Sequence, residues 1–187
     1  MSYPAALHVL ARPAAPGAPT VIFVHGSLDR GESFRRAMRR LPDYSTLAYD
    51  RRGYQASRAG GVVGLSGHIE DLLSIAEVAR AEGRGLVVAV GHSLGGDVVV
   101  GAALAEPEAF GAIGVYEPPM PWLGFRRQGP GAGRGWAPMS EDTGEEAERF
   151  FSRMVSPEAW AHLTEEGRAT RRADGPALVA DLRSFRT

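Results

Sequence analysis

Residues 86–105 read LVVAVGHSLGGDVVVGAALA. Leu86 to Val90 is an unbroken apolar run rich in β-branched side chains, the composition of a strand buried on both faces of a parallel sheet. It ends at Gly91-His92-Ser93-Leu94-Gly95-Gly96, and the chain continues into Asp97–Ala105, where Gly101, Ala102 and Ala103 allow a helix to pack closely on a sheet. A G-x-S-x-G turn between strand and helix is the context in which a serine is held on a sharp bend. Only glycine at the flanking positions leaves room for so tight a reversal, and the Ser93 hydroxyl is thereby held clear of the sheet. The helix that starts there aims free N–H groups and the positive end of its dipole at the same spot, so an oxyanion formed by attack on a carbonyl is stabilised. The backbone N–H of Leu94 is the natural first donor.

Outward from this segment, strands and helices alternate. Thr20–Val24 (TVIFV) and Ser45–Tyr49 (STLAY) read as further buried strands, Ala112–Tyr116 as one more, and Leu7–Ala11 as an edge strand before a Pro-rich turn. Ser33 is placed to cap a helix carrying Phe34, Ala37, Met38 and Leu41, stopped by Pro42. Ile69, Leu72, Leu73 and Ala76 form a second helical stripe, closed by Gly83. This alternation from Val21 to Tyr116 is the signature of a parallel α/β sheet covered by helices on both faces. Residues 118–140 then carry five prolines among many glycines, a long loop. Beyond it, Thr143 and Glu146 read as a capping box, Ser156-Pro157 as the start of a second helix and Gly175-Pro176 as the start of a third, with Leu178, Leu182 and Phe185.

Three features together resemble the α/β-hydrolase superfamily over nearly all of residues 7–187. The GHSLGG turn is similar to the family's nucleophile elbow. His25-Gly26-Ser27, after the first buried strand, looks like its oxyanion turn, which implies the N–H of Ser27, or of Leu28, as second donor. Asp50-Arg51-Arg52-Gly53-Tyr54-Gln55-Ala56-Ser57 resembles the D-x-R-G-x-G-x-S loop, with Gln55 where the family usually has Gly. The resemblance implies a mostly parallel α/β-hydrolase sheet over residues 1–117 and a loop and helical cap over 118–187, with the C-terminal strands of the fold absent from this chain.

It also implies a Ser nucleophile, then an acid, then a His base in chain order. The histidine after Ser93 is His162, which falls in the cap, so the base is expected from outside these 187 residues. Glu117, at the end of the last strand, is in the right region for a triad acid, and a local loop role is the favoured alternative. His25 and His92 read as structural and His68 as a capping or surface residue. Asp142, Asp174 and Asp181 read as solvated or capping residues of the cap. Trp122, Trp136, Phe150, Phe151 and Trp160 line a pocket or simply fill the cap.

Charge and composition restrict the partners. With 21 basic and 22 acidic residues no global field draws nucleic acid or anionic lipid. Every basic residue is Arg, and the pairs Arg35-Arg36, Arg39-Arg40, Arg126-Arg127 and Arg171-Arg172 read as solvated faces. The absence of Cys excludes disulfide scaffolds, thiolate zinc sites and Cys nucleophiles. No nucleotide-binding glycine pattern is present, and no metal or organic cofactor is implied. Neither a secretory leader nor a membrane span is legible, so a cytoplasmic location is expected. The expected function is serine hydrolysis of an ester, thioester or similar small acyl substrate. Haloperoxidase, lactonase or carbon–carbon hydrolase chemistry on the same residues stays open, and the alternative is an inactive relative or fragment that binds a small molecule, pairs with a second copy or completes its sheet with another chain.

Overall fold

The structure is a computed structural model that describes residues 3–82, 85–120, 123 and 139–184. Among these residues five strands, β1 (Val9–Arg12), β2 (Thr20–Val24), β3 (Ser45–Tyr49), β4 (Val87–His92) and β5 (Ala112–Tyr116), form one sheet in the order β1-β3-β2-β4-β5. β1 runs antiparallel to β3 at one edge, and the other pairings are parallel. β4 extends two residues past the expected end, because Gly91 still pairs with Val24 and Val115, and His92 with Tyr116.

β2 and β3 lack an apolar/polar alternation because both of their faces are covered. Val21 and Phe23 pack with Met38 and Phe34 around helix α1 (Arg35–Arg39). Ile22, Val24, Leu47 and Tyr49 face Leu72, Ile75 and Ala76 of α2 (Leu65–Ala81) and Val98 and Val99 of α3 (Leu94–Ala105). Gly101 serves the contact between helices and not the sheet: a Cβ there would sit 2.4 Å from Ile69 Cδ1 of α2. β5 is the second edge, where Ile113, Val115 and Tyr116 are 43%, 41% and 64% exposed. Among the described residues no helix is long and apolar enough to cross a membrane.

Among the described residues four helices follow: α4 (Thr143–Met154), α5 (Pro157–Ala161), α6 (Glu165–Ala173) and α7 (Gly175–Ser184). Leu178 and Leu182 of α7 and Ala147 of α4 bury against Leu28 and Tyr54, so the helices sit on the loops that leave β2 and β3.

Several local expectations are corrected. Ser33 caps nothing; it lies in a 3-10 turn over Gly31–Phe34, and its hydroxyl donates to Asp29. α4 is capped by Asp142, which accepts from the N–H groups of Gly144 and Glu145, while Glu146 accepts from the Ser140 N–H. The capping residue thus precedes Thr143 by one. Ser156 caps α5 as expected, through the Ala159 N–H. α6 was not anticipated, because its sequence EEGRATRRA buries no residue and carries no apolar stripe. Its first turn is held instead by Thr164, which accepts from the Gly167 N–H, and by the Arg168–Glu165 pair at 2.9 Å. Gly83, Trp122, Arg126, Arg127, Trp136 and Phe185 lie outside the described residues.

Candidate active site

Ser93 sits between β4 and α3 with φ 52° and ψ −129°, a left-handed conformation that a non-glycine residue adopts only under constraint. The constraints are visible. The Ser93 N–H donates to the Tyr116 carbonyl of β5 at 2.9 Å, and its carbonyl accepts from Gly96 at 2.7 Å. A Cβ on Gly91 would lie 2.1 Å from the Gly95 carbonyl oxygen, and one on Gly95 would lie 2.2 Å from that of Val24. Both glycines are therefore required by backbone proximity. Gly26 comes against the serine from β2's loop: its Cβ would stand 2.9 Å from Ser93 Cβ and 3.4 Å from Oγ.

Ser93 opens into a cavity of about 510 Å³ lined by Gly26, Ser27, Leu28, Asp29, His92 and Glu117 below and by Phe150, Phe151, Met154, Val155 and Arg171 of the helices above. Two further lining residues share the left-handed backbone of Ser93, Leu28 at φ 55° and Glu117 at φ 51°. Three strained positions converging on one cavity, each costing of order 1–3 kcal/mol, mark the place where the fold spends stability on geometry. Leu94 is the first residue of α3, so its N–H has no carbonyl within the helix to meet. Glu117 directly follows β5, one residue past the carbonyl that holds Ser93. The His92 ring stacks on Tyr116 at 5.5 Å. His162 is exposed, outside the cavity lining.

Beneath this floor lies a polar network centred on Asp181, which is buried completely and is neither solvated nor a cap. Its carboxylate accepts from Arg51 Nη1 at 3.2 Å and Nη2 at 2.8 Å, from the hydroxyls of Tyr54 at 2.5 Å and Ser27 at 2.8 Å, and faces His68 Nε2 at 3.2 Å. His68, three residues into α2, is therefore buried and not at the surface. Burial alone would push the Asp181 carboxyl up, but the Arg51 charge and the hydrogen bonds outweigh it and hold the group ionised, well below the usual carboxylate range. Desolvation likewise works against the Arg51 cation and loses to Asp181.

His25 is structural as expected. Its Nε2 accepts from the Arg51 N–H at 2.9 Å, so the proton sits on Nδ1, which donates to the Gly26 carbonyl at 2.6 Å. The ring thus clamps the His25-Gly26-Ser27 turn to the loop after β3.

That loop carries the departure at Gln55. Its φ of 45° is one that favours glycine, and the strain is offset by Asp174, which is buried and accepts from both the backbone N–H and the side-chain amide of Gln55. Asp174 also pairs with Arg58 at 2.8 Å. Asp142 caps α4 in place of the expected Thr143. The pair Arg171-Arg172 divides: Arg172 bridges Glu148 at 2.7 Å on the surface, whereas Arg171 turns into the cavity. Among the described residues no three His, Cys, Asp or Glu side chains converge as a metal set.

The family model described as Alpha/beta hydrolase family matches residues 21–187. The chain belongs to the alpha/beta hydrolase family. It is 29% identical over 120 residues to the lipase LipV of Mycobacterium tuberculosis, a match covering 64% of this chain and 44% of that protein. The chain's match thus spans less than half the length of this relative. Among solved structures, the type II thioesterase BorB from the borrelidin biosynthetic cluster superposes with a TM-score of 0.66 at 20% identity, covering 95% of this chain and 69% of that one. The N-formylmaleamic acid deformylase of Pseudomonas putida superposes with a TM-score of 0.61 at 21% identity, covering 96% and 68%. At these identities the structures establish the shared fold. In this alpha/beta hydrolase, Asp181 and Arg171 were the residues that sequence reading missed. The signal for Asp181 was its position between Leu178 and Leu182 on the apolar face of α7, where a carboxylate needs a buried partner.

Proposed function

We propose that the chain is the larger part of a serine hydrolase acting on an ester, thioester or similar small acyl compound. The observation that carries this reading is the left-handed Ser93 at the mouth of a largely apolar cavity, beside a helix N-terminus. Ser93 Oγ attacks the acyl carbonyl carbon, and the carbonyl oxygen takes the negative charge, accepting from the N–H groups of Leu94 and Ser27. The C–O or C–S bond breaks as the proton taken from Ser93 passes to the departing alcohol or thiol, and water then releases the acyl group as a carboxylic acid and returns a proton to Ser93. Phe150, Phe151, Met154 and Val155 of the cap helices supply the apolar wall for the acyl chain. The proton acceptor is assigned to a histidine outside these 187 residues, on a strand added at the open β5 edge from the same or another chain. Glu117 is retained as the candidate acid. LipV is a lipase and BorB a thioesterase, which supports acyl transfer as the chemistry.

Treatment with a fluorophosphonate probe and intact-mass measurement tests the assignment on this chain and on any longer product of its reading frame. One adduct is expected on the longer product, and Ser93→Ala is expected to remove it. A longer product that stays folded and unlabelled would leave only the non-catalytic binding reading. Gly26→Ala provides a graded test. Its new methyl crowds the Ser93 hydroxyl, so labelling should slow about tenfold or more, since displacement of a reacting atom by about 1 Å can cost about a hundredfold. Its urea midpoint should fall by the equivalent of about 1–3 kcal/mol, because the new Cβ at 2.9 Å from Ser93 Cβ forces a shift, so labelling is compared on the folded fraction. Labelling at the wild-type rate would place the reacting atom elsewhere.

A further inference from the structure

Arg171 is the only arginine among the described residues that line the Ser93 cavity. It reaches there from α6, with its guanidinium carbon 5.1 Å from the centre of the Phe151 ring. Nη1 donates to the Gly167 carbonyl of its own helix at 3.2 Å. Nε is buried and, among the described residues, has no acceptor, and no ion pair engages the group. A buried donor without a partner costs stability and is uncommon. With Nη1 committed and Nε shut off from the cavity, Nη2 is the nitrogen left to a ligand, and a carboxylate meets it with a charge-assisted hydrogen bond.

A second cation stands close by. Arg171 also lines an adjoining recess with Leu28, Asp29, Arg30, Ser33 and Gln55. Two arginines face one aspartate there, and Asp29 already accepts from the Ser33 hydroxyl. Desolvation, then the charge of Arg30, loosens the hold of Arg171 on its proton, and the opposing pull of Asp29 and Asp174 does not cancel them. Leu28 and Asp29 line both spaces, so the recess is continuous with the cavity.

We infer that Nη2 of Arg171 binds a carboxylate at the far end of the acyl chain, making the substrates esters or thioesters of dicarboxylic acids. This rests on the reading of Ser93 as nucleophile and adds the substrate class to it.

The test compares pairs of equal chain length on the Ser93→Ala protein, which holds back turnover: monomethyl succinate, glutarate and adipate against methyl butanoate, pentanoate and hexanoate, by calorimetric titration. In at least one pair the charged ester is expected to bind about ten- to a hundredfold more tightly, the range of a charge-assisted hydrogen bond in a partly desolvated site. Adding Arg171→Gln should abolish that preference, and adding Arg172→Gln should leave it. Because both ligands meet the same protein, lowered stability of a variant cannot imitate a lost preference. Equal binding in every pair, no binding by any ester, or a preference that survives Arg171→Gln overturns the inference. The titration contains no chemical step, so its failure is distinct from a failure of fluorophosphonate to label Ser93.

Discussion

Asp181→Ala is expected to destabilise the protein by about 3–5 kcal/mol, the cost of breaking a buried ion pair by removing one partner. Arg51 and Asp181 are both wholly buried, so the substitution strands a guanidinium with no water to take over. It also removes the acceptor for Ser27 and Tyr54 and the partner of His68. Urea unfolding should show a lower midpoint with an unchanged slope. Removing both charges, as in Arg51→Met with Asp181→Leu, should recover part of the loss, because an apolar pair of similar volume avoids the desolvation penalty. Recovery stays incomplete, since three polar groups still lose their partner. A single substitution costing less than about 1 kcal/mol would show that the network contributes no more than a surface pair.

The same substitution connects stability to the proposed chemistry. The Ser27 hydroxyl is tied to Asp181, and the Ser27 backbone is the second donor in the proposed oxyanion site. Helix α7 therefore holds the floor of the cavity from beneath, while α4 and α6 cover it. A folded Asp181→Asn protein should label more slowly with fluorophosphonate than wild type, through the loosened turn and not through the nucleophile.

What was legible in the sequence was local or periodic. Leu86–Val90 announces a buried strand by composition, although Leu86 proves exposed and β4 begins at Val87, and the turn that follows needs its glycines because a methyl group on Gly91 or Gly95 would meet a backbone oxygen at only 2.1 or 2.2 Å. The fold and the position of Ser93 follow from those twenty residues and the alternation around them. What was not legible was long-range pairing. Asp181 meets Arg51 across 130 positions and Asp174 meets Gln55 across 119, and no local pattern records either contact. α6 escaped because capping and charge pairs stabilise it without an apolar stripe. Arg171 and Arg172 are adjacent and chemically identical, yet successive residues of a helix face different directions, and only the packing of α6 over Phe151 decides which enters the cavity.

The second large effect is acid destabilisation beginning near neutrality. His25 and His68 are both buried, and in both desolvation, reinforced by the Arg51 charge, lowers the affinity for a second proton; for His25 the shift takes it well below its ordinary value. Geometry agrees: His25 uses Nε2 as an acceptor, and His68 Nδ1 is buried with no partner among the described residues, so a proton added at either has no acceptor waiting. The folded protein then binds fewer protons than the unfolded chain, whose histidines titrate near pH 6.5. Stability must fall as pH drops below about 6.5, by up to about 1.4 kcal/mol per pH unit for each histidine that stays neutral. With both, the slope approaches about 2.8 kcal/mol per unit, and above about pH 7.5 the two cease to contribute. Asp181 acts in the same direction in a lower window: its depressed pKa gives stability that is present above about pH 4 and is lost as pH falls below that. Urea midpoints from pH 8 to pH 3 should therefore be flat, then decline through the histidine window, then steepen again below about pH 4, where the unfolded chain's carboxylate takes up a proton that folded Asp181 does not. His68→Gln keeps a donor toward Asp181 and removes one titration, so it should make the first slope shallower while the decline below about pH 4 remains. A midpoint constant from pH 7.5 to pH 5 would mean that the unfolded and folded chains hold the same protons there, which two neutral imidazoles sealed beside Arg51 do not allow.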